Sequence, residues 1–225
     1  MQGLSVGLAA QATERTTAAT DAVLAIVALV LLVGLRRRSP PSFGRAVWLS
    51  ALAAMAMASV LGAVAHGLEL SSGVRDLLWQ PLYLALGTTM ALFVVGAVRD
   101  WRGDRAARRV LPVMVVVTLA FYGATRASGG AFIVFVLYEA GALGFALWVY
   151  AWLAARGSQA GAATMAAALA LSLAAGAVQA AKAATVHLVW AFDHNGLFHL
   201  VQLPGLVLLG VGLRRILQHP QPEGV

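Results

Sequence analysis

Four of the five histidines in this chain of 225 residues, His66, His187, His194 and His199, fall near the ends of apolar runs. Imidazole ligates metals through either ring nitrogen and passes protons near neutral pH. His66, His194 and His199 would supply the three neutral imidazoles of a catalytic zinc, which keeps a fourth position for a water whose pKa it lowers to about 7. Asp76, with Glu69 as a substitute, would serve that water as general base or orient a ligand. Ser59 or Asn195 would stabilise an oxyanion. Cysteine is absent, which excludes disulfides, thiolate zinc and iron-sulfur clusters, so His, Asp and Glu must carry any metal.

Each of these residues also has a plainer role. His66 closes the run Gly62-Ala63-Val64-Ala65-His66-Gly67, with Ser59 seven residues earlier on the same helical face, and an interfacial histidine reaching headgroup water would look the same. Asp76, ten residues later, would suit a helix N-cap. In Phe192-Asp193-His194-Asn195-Gly196-Leu197-Phe198-His199, either Asp193 or Asn195 would cap the helix that follows. His199 lies inside the first turns of that helix with Gln202 at i+3, so both should face protein rather than lipid. His194 diverges from His199 by about 140° on an ideal helix, unless it precedes the helix. Glu139 lies roughly 12 Å into an apolar segment, where a carboxylate marks a functional site by default. Its alternatives are a buried ion pair, or a protonated acid bonded to Tyr138, Tyr122 or Arg126. Lys182 reads as a snorkelling side chain.

The elements that must position these residues follow from composition. With 60% hydrophobic and 11% charged residues and a mean hydropathy of +0.82, the chain reads as an all-α integral membrane protein, because a backbone in hydrocarbon must satisfy its own hydrogen bonds and the alternation of barrel strands is missing. Hydropathy predicts seven helices, near residues 19–35, 46–67, 78–98, 109–125, 131–153, 161–185 and 196–214. Residues 1–18 read as an exposed tail, 19–217 as one membrane domain and 218–225 as a cytoplasmic tail. Twelve of the sixteen basic residues (Arg36, Arg37, Arg38, Arg45, Arg99, Arg102, Arg105, Arg108, Arg109, Arg156, Arg214 and Arg215) fall in loops on one side. The positive-inside rule makes that side cytoplasmic, with the N-terminus outside and the C-terminus inside. The expected location is a bacterial inner (plasma) membrane. A net charge of +7 is then what orientation and anionic lipid require, and nucleic acid is not an expected partner. Small residues along 160–184 and in Gly141-Ala142-Leu143-Gly144 let helices approach closely. The two halves show no similarity of the kind found in inverted-repeat transporters.

A His near the end of helix 2, an Asp at the start of helix 3 and histidines at the start of helix 7 together resemble the seven-helix superfamily of alkaline ceramidases and adiponectin receptors. The resemblance covers the whole topology and implies zinc bound by His66 and His199, with Asp76 as the helix 3 acid; the N-out orientation is that of the ceramidase branch. The family pattern has Ser four residues before the helix 2 histidine, where this chain has Gly62, and His four residues before the second helix 7 histidine, where it has Asn195 beside His194. The function expected on these grounds is zinc-dependent hydrolysis of an amide or ester bond in a membrane lipid, on the extracytoplasmic side. Two other classes use the same residues: a proton- or ligand-coupled transporter or sensor built on Glu139, Lys182 and the histidines, and an electron-transfer protein with His66 and His199 as axial ligands of haem b.

Overall fold

A computed structural model describes residues 7–182 and 185–218. They form α1 (Ala12–Arg38), α2 (Phe43–Gly67), α3 (Ser72–Ala127), α4 (Ile133–Ala155), α5 (Ala162–Ala180), a two-stranded hairpin of β1 (Val186–His187) and β2 (Ala191–Phe192), and α6 (His194–Gln218). All six helices are long and apolar enough to cross a membrane, so the chain is an all-α integral membrane protein.

Hydropathy predicts seven separate helices and six are found, because the expected third and fourth are carried by α3, which is 56 residues long. At Gly103 the backbone turns to φ +82 and ψ 173, a conformation with φ positive that glycine adopts without a side-chain penalty. The chain reverses there. Thr118 donates from Oγ1 to the carbonyl of Gly87 over 3.4 Å, although 31 residues of unbroken helix would separate them by about 46 Å. Tyr122 likewise donates to Gln80 Oε1 at 3.0 Å. The two arms, residues 72–102 and 104–127, therefore lie side by side. Arg99 fastens the reversal, donating to Asp100 at 2.9 Å and to Asp104 at 3.0 Å, while Tyr150 of α4 donates to the other oxygen of Asp100 at 2.5 Å.

The helix ends have local causes. Pro40 and Pro41 lie between α1 and α2, and Ser42 caps α2 by accepting from the amide of Arg45 at 3.1 Å. Helix α1 starts seven residues before the expected 19, so residues 12–18 are helical and Thr17 is fully buried rather than part of an exposed tail. The remainder of that tail packs in part: the amide of Ala9 donates to the carbonyl of Gly67, and that of Glu69 to Gly7, both at 2.9 Å. The expected N-terminal and C-terminal tails also include residues 1–6 and 219–225, which lie outside the described residues.

Each helix packs on its neighbours in chain order and α6 closes the ring against α1, with further contacts between α6 and α2. Most of the largest fully buried side chains, among them Trp48, Leu52, Tyr150, Leu153, Leu213 and Ile216, belong to the helix halves nearest the arginine-rich loops. Trp48 meets Phe93 edge-on at 5.4 Å. That half of the bundle is solidly packed. The other half holds a cavity.

Candidate functional site

The cavity measures about 1280 Å³. It is bounded by all six helices and reaches the turn at Gly129 and Gly130, where Asp76, Arg126 and Lys182 stand exposed around its mouth. Of the residues expected to do chemistry, Ser59, His66, Asp76, Glu139, His194, Asn195, His199 and Gln202 all line it. Glu69 does not; its carboxylate lies beside Gly7. His187 is exposed in β1.

His199 is buried, with both ring nitrogens engaged. Thr20 uses its single hydroxyl proton toward the carbonyls of Thr16 and Thr17, so its oxygen accepts from Nδ1–H of His199 at 2.9 Å. Nε2 then faces Oδ1 of Asp21 at 3.4 Å. Asp21, itself 6% exposed, approaches α2 at Gly62, where a Cβ would lie 2.6 Å from Oδ2. The serine that the ceramidase-type pattern places at position 62 would collide with that carboxylate. His66 is partly buried and donates from Nδ1 to Glu14 Oε2 at 2.7 Å, while its ring stands edge-on to Trp79.

The α6 entry is organised by Asp193. Its Oδ1 accepts from the amides of Asn195 and Gly196 at 3.0 and 2.9 Å, the geometry of an N-cap, and also from Thr17 Oγ1 at 3.2 Å. Thr16 donates to the carbonyl of Ala191 at 2.7 Å. One face of α1 thus clamps the β-hairpin and the start of α6. His194 is the first residue of α6, so it shares a helix with His199 and the angular divergence between the two remains. Asp76 lies in the first turns of α3, whose N-cap position is Ser71 rather than Asp76.

Along α5, residues 172, 176 and 179 form one stripe, at i, i+4 and i+7. Ser172 spends its proton on the carbonyl of Ala168 at 3.1 Å and accepts from Gln202 Nε2 at 3.1 Å. Gln179 donates to Asn195 Oδ1 at 2.9 Å. Glu139 of α4 lies over Gly176, where a Cβ would be 3.1 Å from Oε2. It is 5% exposed and, among the described residues, makes no hydrogen bond or ion pair. The expected pairing of Glu139 with Tyr138, Tyr122 or Arg126 is not formed: Tyr138 donates to the carbonyl of Gly87 and Tyr122 to Gln80.

Zinc asks for three converging donors. Among the described residues no group of three His, Asp or Glu side chains stands close enough to hold a metal ion. What does converge is paired: His199 with Asp21, and His66 with Glu14. As placed, the expected ligands His66, His194 and His199 share a cavity without sharing a metal position, and the donor set does not fit a three-ligand zinc centre.

Sequence reasoning placed the first helix at 19–35 but gave it no part in the site. Glu14, Thr17, Thr20 and Asp21 supply partners to His66, Asp193 and His199, and Asp21 carried a usable signal, a lone carboxylate inside the first apolar segment. Treating residues 1–18 as a tail hid Glu14 and Thr17, the latter one turn before Asp21 on the same face.

A helical bundle with one solid half and one half opened into a cavity that carries ionisable groups in its wall defines the class: an all-α integral membrane protein with an internal site. The chain belongs to DUF6962, a family of unknown function whose model matches residues 16–218. No curated protein and no solved structure matches it.

Proposed function

We propose that this protein is a sensor or transporter that takes a small ligand into the cavity from the extracytoplasmic side, with occupancy linked to protons on the His199–Asp21 pair and Glu139. The observation that carries the reading is the pair of buried carboxylates, Asp21 from α1 and Glu139 from α4, lining one cavity of about 1280 Å³ that also contains a buried histidine. Ionisable groups at membrane depth are costly and are retained where ions, protons or ligands are handled, and a cavity of this size suits a small organic ligand. The reversal at Gly103 supports seven crossings, and the arginine-rich ends of the helices, by the positive-inside rule, favour an extracytoplasmic mouth.

The absence of cysteine allows a direct test. A single Ser59→Cys substitution in the cavity wall should react with a membrane-impermeant maleimide added outside intact cells, and labelling only after permeabilisation would overturn an outward-opening cavity.

Zinc-dependent hydrolysis of a lipid amide or ester is the second reading. It is favoured by the presence of His66, His194, His199, Ser59 and Asp76 around one cavity and by the resemblance to the ceramidase and adiponectin-receptor superfamily. It requires the histidines to draw closer than they stand. Metal analysis decides it: about one zinc per chain, lost in His199→Ala, would replace the first reading with this one.

A further inference from the structure

The β-hairpin between α5 and α6 turns its apolar side chains outward. Leu188, Val189 and Trp190, at its tip, are 65, 83 and 66% exposed, and between Lys182 and Asp193 the sequence carries no Asp, Glu, Lys or Arg. A run of three large apolar side chains facing outward marks a surface that something covers. The base beneath it is fixed. Val186 and His187 pair with Phe192 and Ala191, the amide of Leu188 donates to the carbonyl of Trp190 at 3.1 Å, Phe192 is buried, and the carbonyl of Ala191 accepts from Thr16 of α1. The tip is therefore held away from the protein on a fastened stem.

The place of attachment indicates what covers it. Thr16 lies on the face of α1 that continues through Ala19, Val23 and Val30, at i+3, i+7 and i+14, and all three are exposed on a helix long and apolar enough to span the membrane. The hairpin thus hangs at the head of a lipid-facing stripe, at the bundle end opposite the arginine-rich loops. Its backbone limits how deep it can go. A sheet of two strands leaves the outer edge of each strand unpaired, which hydrocarbon does not tolerate but hydrated headgroups do. Indole suits that boundary, with its ring against acyl chains and its N–H among polar groups. A protein partner fits less well, because three side chains fall short of the roughly 1,000 Å² that a specific interface buries.

We propose that the hairpin tip is an interfacial anchor, with Leu188, Val189 and Trp190 seated in the headgroup and upper acyl region of the adjacent leaflet. Phe192 and Asp193 follow directly, and Asp193 caps α6, so the anchor sets the level in the bilayer at which α6 begins. This lipid contact is independent of what the cavity takes.

The chain has no cysteine, so a nitroxide can be attached at Val189→Cys or Leu188→Cys in the full chain and the protein reconstituted into phosphatidylcholine vesicles. Its collisions with oxygen, which concentrates in lipid, are compared with those with a water-soluble nickel chelate. Val30→Cys on the lipid-facing stripe and Gln11→Cys, exposed just before α1, give the lipid and aqueous references. The ratio of oxygen to nickel collisions should be several-fold higher than at Gln11 for Val189, for Leu188 or for both, and no higher than at Val30. A ratio equal to that of Gln11 at both positions would place the tip in water and overturn the anchor. Shielding of both positions from both reagents would also overturn it, in favour of a protein contact; spin–spin broadening that disappears on dilution with unlabelled chain would identify that contact as a second copy.

Discussion

His199 is held by Thr20 on one ring nitrogen and faces Asp21 with the other, so its orientation is decided by α1. The closeness of Asp21 to α2 explains why position 62 is glycine. Replacing Gly62 with Ala forces a Cβ to within 2.6 Å of the Asp21 carboxylate, and overpacking of this kind costs about 1–3 kcal/mol. A matching fall in melting temperature is expected for Gly62→Ala. The double variant with Asp21→Ala should recover part of the loss, because the second change removes the obstacle; strictly additive effects in the double-mutant cycle would mean that the two residues are not coupled. Asp21→Asn should keep the fold, since amide and carboxyl have nearly the same shape, but should flatten the pH dependence of ligand binding, because it removes one of the two ionisable members of the pair. At this scale the sequence is partly legible. Residue type and depth mark His66, His199 and Glu139 as candidates. Their pairing with Glu14, Thr20 and Asp21 escapes it, because the partners meet the histidines across 52 residues in one pair and 179 in another, distances over which local pattern carries no information.

Helix α3 is where hydropathy and conformation part company. The apolar runs at 78–98 and 109–125 do form separate lengths of helix, yet the short basic segment between them stays helical on both sides of one residue. Gly103 absorbs the whole reversal, and nothing lies within 4 Å of where its Cβ would be. The cost of Gly103→Ala is therefore conformational rather than steric, about 1–3 kcal/mol, readable as a drop in melting temperature. Asp100→Ala should cost more. It leaves the partly buried Arg99 with Asp104 alone and strands the hydroxyl of Tyr150; removing one member of a buried pair is worth about 3–5 kcal/mol. If Asp100→Ala were no more damaging than Gly103→Ala, the ion cluster would not be what holds the two arms together. The α5 stripe makes a related point: its small residues are packing surfaces, as composition suggests, but Gly176 also leaves the room in which Glu139 lies.

For the molecule as a whole, the parity of membrane crossings follows from the reversal at Gly103. Seven crossings place residues 11 and 218 on opposite sides; six would place them on the same side. Gln11 and Gln218 are both exposed, and the single substitutions Gln11→Cys and Gln218→Cys are therefore expected to differ. The first should be labelled by impermeant maleimide from outside, the second only from the cytoplasm. Equal labelling would refute the seven-crossing arrangement, and exchanged labelling would reverse the orientation of the cavity. Composition alone determined that the chain enters a membrane as helices, since a bilayer offers backbone groups no other partner. Local hydropathy also located most of the helices, and the arginine bias marked the two ends of the bundle. Only the tertiary structure decided that the ring closes through α1 and α6, that one half packs solidly while the other opens, and that Asp21 and Glu139 line one cavity. Those outcomes depend on the rotation and neighbours of each helix, which arise from side-chain packing between segments far apart in the chain.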